Sequence, residues 1–356
     1  MKITAKIIFV LALVFTTGAC TNKEKKTEPL KVLRVGYFPV TNPIIVYAEQ
    51  ADLFKKNGIN IKIENIISSG GGQQLIEMFL AGKVDVATFG DQPAVMGWLR
   101  GVDVKAVANF PRKATDTWIM VVDTNKIKTM YDLKDKKIAV SIGSTSQHWL
   151  LLALDAAGMK PTDVKMLNIP GSSAEIALMQ NEIDAVVLSE PTISVLEEKK
   201  VAFKLRGSHH GRTNCGILLV SGDVYRNHPE IIKPIIGVFH DATTWIIDNP
   251  DSVVNVVSKM ITYKSLPKSA IKRQYSTNLG KVKYIGFTDS AKVNYKQIVD
   301  FMKDLKAVKQ KGTLADSTEK FYDSRFVDEY YKDKAKRYNI TVAELIKRES
   351  ERPKVN

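Results

Sequence analysis

Cysteine is nearly missing from this chain: its 356 residues include two, Cys20 and Cys215. That excludes a disulfide framework and any Cys/His metal cluster. Histidine is almost as scarce, with five. His148 falls in the first turn of an expected helix, and His209 and His210 stand in an expected loop before Arg212. His228 and His240 lack partners at useful spacing. There is no Gly-x-Ser-x-Gly elbow, no Walker loop and no His-Glu-x-x-His helix, so the common routes to nucleophilic, nucleotide-driven and zinc chemistry have no carrier. Acidic residues are outnumbered, 38 against 52 basic, which gives a net charge of +14. The basic residues are thinly spread, without interleaved aromatics, so nucleic acid is not an expected partner. An anionic membrane surface, or simply a solvated basic face, suits the charge better.

What is present is a phrase used twice. The first copy runs from Leu75 to Val86 and ends in Gly90-Asp91-Gln92-Pro93. The second runs from Glu175 to Val186 and ends in Ser189-Glu190-Pro191. Each reads as an amphipathic helix stopped by Gly82 or Asn181, residues that tolerate the left-handed turn after a helix. An Asp (Asp85 or Asp184) then opens a short apolar strand, and each strand ends in an acid followed by a proline break. Upstream, Leu33–Gly36 reads as a strand, Tyr37–Pro43 as a loop, Ile44–Lys56 as one helix and Ile59–Ile67 as a second strand. The second copy offers the strand Lys137–Val140, the turn Ser141–Ser146, the helix Gln147–Ala157 and the strand Val164–Asn168. Both halves therefore read strand, helix, strand, helix, strand, which implies α/β layers with parallel pairing. The length allows two domains, and an apolar fraction of 44% with 25% charged residues is ordinary for a globular protein. Polar groups at strand ends are where open α/β sheets hold ligands. Two such ends suggest a ligand between two similar lobes.

The first twenty residues differ from the rest. Lys2 and Lys6 flank the apolar run Ile7–Phe15, too short to span a bilayer, and Thr17-Gly18-Ala19-Cys20 follows. This resembles a bacterial lipoprotein signal, 1–19, cut before a lipid-bearing Cys20, although Thr17 stands where a larger aliphatic residue is usual. An ordinary secretory peptide is the alternative; both imply export. Residues 20–31 are polar and Lys-rich and read as a tether.

Ser141–Ser146 follows a strand and precedes a helix, so its N–H groups and the hydroxyls of Ser144, Thr145 and Ser146 suit a sulfonate, carboxylate, nitrate or phosphate oxygen. Plain helix capping is the other use of these residues. Ser69-Gly70-Gly71-Gly72-Gln73 opens a helix in the other lobe, where glycines allow close backbone approach. Asp91 and Glu190 could receive an ammonium or N–H donor, or could simply cap the strand ends. Trp118 could wall off a planar part of a ligand, or be core; Trp98, Trp149 and Trp245 read as core.

The segments Gly36-Tyr37-Phe38, Leu53-Phe54-Lys55-Lys56, Ala81–Asp85, Gly90–Pro93, Gly143–His148 and Ile183-Asp184-Ala185 together resemble the substrate-binding proteins of ABC importers for aliphatic sulfonates, taurine, nitrate and thiamine-precursor pyrimidines. The likeness covers roughly residues 31–300. It implies a two-lobed periplasmic-binding-protein-like fold of type II: α/β, with two mixed, mostly parallel sheets, flanking helices and a double-crossing hinge. Lobe 1 would comprise 32–115 plus 216–356, and lobe 2 would comprise 116–215. The crossings would lie near Arg112–Trp118 and Gly207–Cys215, the second bordered by His209 and His210. The implied ligand contacts are Phe38, Thr41, Asn42, Gly71, Gln73, Asp91, Gln92, Trp118, Ser144, Thr145, Ser146, Glu190 and Asn214. Where sulfonate and taurine members often carry Trp-Asp, this chain has Ser189-Glu190, and no arginine stands at a matched anion position. The resemblance implies an extracytoplasmic, lipid-anchored monomer without cofactor or turnover, delivering a small anionic or zwitterionic solute to an ABC permease. Pyrimidine-precursor binding, a synthase-like enzyme and an anchored sensor remain as alternatives, although the synthases' cysteine-rich iron motif is missing. The charged, aromatic tail Thr313–Arg352 reads as a helix completing lobe 1 or as a partner-binding extension.

Overall fold

A computed structural model describes residues 28–38, 43–67, 71–111, 117–169, 171–208, 215–258, 260, 263–264, 266–278, 282–304 and 318–351. The leader, Cys20, Thr41, Asn42, Ser68–Gly70, His209, His210 and Asn214 lie outside the described residues. So do residues 112–116 and 209–214, through which the chain passes between its two sheets.

The first sheet contains β1 (Val32–Tyr37), β2 (Lys62–Ile67), β3 (Val86–Gly90), β4 (Val104–Pro111) and β10 (Cys215–Ser221), in the order β2-β1-β3-β10-β4. The second contains β5 (Thr117–Val121), β6 (Lys137–Val140), β7 (Lys165–Asn168), β8 (Ala185–Ser189) and β9 (Phe203–Lys204), in the order β7-β6-β8-β5-β9. The orders are the same once β1, β2 and β3 are matched to β6, β7 and β8. In each sheet three strands pair in parallel. One antiparallel strand is inserted beside β3 or β8: β10 in the first sheet and β5 in the second. Each of these enters directly after a passage from the other sheet.

Ten of the helices follow from the repeat and its first return. These are α1 (Pro43–Gln50), α2 (Leu53–Lys56), α3 (Gly71–Leu80), α4 (Asp91–Leu99), α5 (Thr145–Ala156), α6 (Gly171–Met179), α7 (Thr192–Glu198), α8 (Gly222–Asn227), α9 (Ile232–Asp248) and α10 (Pro250–Val257). The expected single helix 44–56 is broken. Asp52 takes a left-handed conformation, φ 56°, which Asp tolerates better than most residues, and α2 restarts after it. The proline break after β3 is also not a break. Pro93 sits in the first turn of α4, where a missing N–H costs nothing. Gly82 and Asn181 do take left-handed conformations at the ends of α3 and α6.

The repeated Asp has the same task in both halves. Arg34 N donates to Asp85 Oδ2 at 2.8 Å, and Lys137 N donates to Asp184 Oδ2 at 2.8 Å. Asp85 N and Asp184 N return bonds of 2.9 Å to the carbonyls of Arg34 and Lys137. Each carboxylate thus satisfies a strand donor and pins the register of β3 on β1, or β8 on β6.

The tail completes the first sheet. It follows α11 (Lys268–Asn278) and α12 (Asp289–Asp304) and carries α13 (Arg325–Arg337) and α14 (Val342–Ser350). β4 is an edge strand, and chain from this region covers it. Ala106 N donates to Phe321 O at 3.0 Å, Asp323 N to Ala106 O at 2.8 Å, and Asn109 N to Ile285 O at 2.9 Å. Covering an edge removes its open row of donors and acceptors. Phe321 and Tyr331 are fully buried in the first core. Trp98 is buried in that core too, and Trp149 in the second; Trp245 stacks on Tyr47 at 3.7 Å between α9 and α1. His240 differs from expectation. Its partners come from the distant tail: Lys334 Nζ lies 2.8 Å from His240 Nε2, and Glu349 Oε2 lies 3.0 Å from it.

Candidate functional site

The two sheets meet where α3 and α4 begin on one side and α5 begins on the other. Gln73 Nε2 donates to the Ile142 carbonyl at 2.6 Å. His148 N donates to Gln92 Oε1 at 3.1 Å. A Cβ added at Gly90 would stand 2.4 Å from Thr145 Oγ1, and one at Gly143 would stand 2.5 Å from Gln73 Nε2. Glycine at 90 and 143 is therefore what lets the lobes approach this closely. Gln73, Gln92, Ser144, Thr145 and Ser146 are brought together, five of the residues singled out from sequence.

Within the turn before α5, most donors are already used. Ile142 N donates to Asn168 Oδ1 at 3.0 Å and Gly143 N to Gln147 Oε1 at 2.7 Å. Ser144 N donates to the Ser141 carbonyl, and Ser144 Oγ, which bonds that same carbonyl, caps Gln147 N. Among the described residues, the N–H groups of Thr145 and Ser146 meet no acceptor. They belong to the first turn of a twelve-residue helix, where orphan donors and the helix dipole attract an anion. Ser144 is thus occupied as a cap, while Thr145 and Ser146 keep their donors for something else.

In the first lobe, Gly71 begins α3 with φ 67° and open space where a Cβ would be. Gly72 has another reason to be glycine: a Cβ there would meet Pro93 at 2.7 Å, so α3 and α4 pack through it. Asp91 is fully buried. Its Oδ1 accepts from Gln92 N at 2.8 Å and its Oδ2 from Asn294 Nδ2, which ties α12 to the end of β3. Glu190 is buried as well and accepts from Ser194 N at 3.1 Å, capping α7. The two repeated acids therefore carry the capping contacts weighed for them. Trp118 packs on the core cluster of the α6–α7 face, with Lys204 Nζ 5.5 Å from its ring centre. Phe38 follows β1 and is half-buried. Sequence reasoning did not name Asn168, Gln147 or Asn294. The signal for the first two was local, an amide at a strand end and at the third position of α5, whereas Asn294 is 203 residues from its partner.

Residues 41–253 match the family model described as NMT1/THI5 like. A Bacillus subtilis (strain 168) protein named for aliphatic sulfonate binding is 26% identical over 331 residues, covering 91% of this chain and 97% of that protein. The taurine-binding periplasmic protein of Escherichia coli (strain K12) is 22% identical over 298 residues, 82% of this chain and 92% of its own. Among solved structures, the alkanesulfonate-binding protein of Xanthomonas axonopodis pv. citri, bound to MOPS, aligns with a TM-score of 0.69 at 20% identity, covering 80% of this chain and 96% of that one. The periplasmic aliphatic sulphonate binding protein of Escherichia coli aligns with a TM-score of 0.68 at 22% identity, covering 80% and 95%. At such identities the structures establish the fold, which is that of periplasmic binding proteins. The chain belongs to the NMT1/THI5-like family, among its substrate-binding members rather than its enzymes.

Proposed function

We propose that this protein captures a small anionic or zwitterionic solute, of the sulfonate, taurine or nitrate kind, between its lobes and hands it to an ABC permease. The observation that carries the reading is the pair of N–H groups on Thr145 and Ser146 that meet no acceptor among the described residues, in the same turn region that Gln73 and Gln92 reach from the other lobe. Two peptide donors and two hydroxyls suit one oxyanion of single charge. The names of the relatives support the same class. In this reading lobe 1 is 32–115 with 216–356 and lobe 2 is 116–215. Gly71 and Phe38 border the site, Thr41, Asn42 and Asn214 are further proposed solute contacts outside the described residues, and Asp91, Glu190 and Trp118 shape it from behind. In the same reading, export followed by lipid attachment at Cys20 holds a monomer at a membrane on its extracytoplasmic side.

The test is a thermal-shift screen of the chain against sulfonates, taurine, nitrate, amino acids and pyrimidine precursors. A true solute at about 100 times its Kd stabilises by about 2.7 kcal/mol, an upward shift of several degrees. No shift with any member, from folded protein, overturns the reading.

A further inference from the structure

α11 belongs to the first lobe by its packing: Ile271 and Tyr275 are buried in the first core, and Tyr275 Oη lies 2.6 Å from Tyr263 Oη. Its outer face nevertheless reaches the second lobe. Arg273 Nη1 lies 3.7 Å from Glu197 Oε2 and its Nη2 lies 3.9 Å from Glu198 Oε1, both on α7. Glu197 is held in place from its own lobe, since Lys204 Nζ donates to the same Oε2 at 3.1 Å and lies over the Trp118 ring. A charged chain thus runs from β5, just after the first passage between sheets, through β9 and α7 to a helix of the opposite lobe. This contact is separate from the one made by Gln73, Gln92 and Thr145, and its ion pairs, between Arg273 and Glu197 and Glu198, use none of the proposed solute contacts.

We propose that α11 is an ionic clasp across the cleft, with Arg273 a positioning residue that favours the closed arrangement and so raises solute affinity. This rests on the solute-binding reading given above. A guanidinium facing two carboxylates can engage both at once and suits a contact that must form and release as lobes close and open. Because Arg273 is exposed, replacing it leaves the buried side of α11 intact.

The test uses the full chain in detergent, with taurine and butanesulfonate as probes. Arg273→Glu should weaken binding of whichever probe binds by about fivefold at low salt, since an attraction of the size of an exposed ion pair becomes a repulsion. The difference should shrink toward nothing near 1 M salt, where the screening length is only about 3 Å. Adding Glu198→Arg to Arg273→Glu should recover most of the affinity, which a merely structural role for Arg273 would not allow. Contrast-matched neutron scattering without solute should give Arg273→Glu a larger radius of gyration than the native chain. Unchanged affinity at low salt, or a double variant no better than the single one, overturns the clasp. If neither probe binds the native chain, the assignment of solute class is what fails. The scattering then decides the clasp alone, and an unchanged radius overturns it.

Discussion

Replacing Glu349 by Gln should unfasten the C-terminal helices. The carboxylate is 8% exposed and accepts from Lys334 Nζ at 2.5 Å, Tyr331 Oη at 2.9 Å and His240 Nε2 at 3.0 Å, joining α14 to α13 and α9. Burial by itself would push this carboxyl up. The hydrogen bond and charge of His240, followed by those of Lys334, overcome that and hold it down from 4.5 to about 2. A displacement of that size corresponds to roughly 3 kcal/mol of folding free energy, and so little exposure leaves little for solvent to screen. Removing one partner from a buried pair costs about 3–5 kcal/mol. Gln keeps the shape, and Lys334 is 11% exposed and can shift toward water, so the low end applies. The expected loss is about 3 kcal/mol at pH 7, on the order of 6–12 °C in Tm. The sign with pH follows from the lowered value. The native contribution is complete above about pH 4.5 and is lost as pH falls through about 2. Denaturant unfolding of native and Glu349→Gln chains between pH 7 and pH 2 reads both effects. The gap between the two proteins should be wide at pH 7 and close toward pH 2. A gap under about 1 kcal/mol at pH 7, or one that stays constant into acid, would refute the reasoning.

Three further outcomes bear on the cleft. Ser144→Asp should keep the helix cap but lose the hydroxyl's bond to the Ser141 carbonyl, costing about 1 kcal/mol of stability, and weaken an anionic solute at least about tenfold through repulsion; thermal unfolding and calorimetric titration read the two. Gly90→Ala should obstruct closure, because its Cβ would fall 2.4 Å from Thr145 Oγ1, and affinity should drop while the φ of −67° leaves the fold unstrained. Thr145→Ala added to Gly90→Ala should reopen the space, visible as renewed lobe closure in small-angle scattering, since the remaining contact to the Thr145 Cβ is 3.5 Å.

The repeat made the architecture legible because its punctuation is local. Gly82, Asn181, Asp85 and Asp184 each act on their own turn or on the adjacent strand, so a short window of sequence carries their meaning. The break at Asp52 was not legible, since Asp inside an apolar-periodic stretch also reads as a solvent-facing helix residue. Pro93 misled for a related reason: proline ends a helix from within but opens one at its first turn, and only the position of the helix start distinguishes the two. His240 appeared partnerless because its partners lie 94 and 109 residues away, in a tail whose charge pattern resembles a solvated helix. Sequence could place Ser141–Ser146 before a helix, but not how its donors are divided. That division depends on Asn168, 26 residues on from Ile142, and on the angle at which Gln147 turns back.

The division of donors bears on selectivity. A turn with every N–H free would accept a multiply charged phosphate, as glycine-rich phosphate loops do. Here Asn168 and Gln147 have taken two donors, the cap of Ser144 has taken a third, and Gln92 shares a fourth with the helix. From the other lobe come the neutral amides of Gln73 and Gln92. Asp91, the acid a ligand ammonium would seek, already accepts from Gln92 N and Asn294. Transferring a second negative charge from water into such a setting has little to offset its desolvation. In the proposed reading, the same arrangement would suit one sulfonate, carboxylate or nitrate, whose single charge is spread over oxygens that two N–H groups and two hydroxyls would share. The chain's surplus of lysine and arginine does not alter this: among the described residues no lysine or arginine hydrogen-bonds Thr145 or Ser146, and the surplus acts at longer range, drawing anions toward the protein rather than choosing among them.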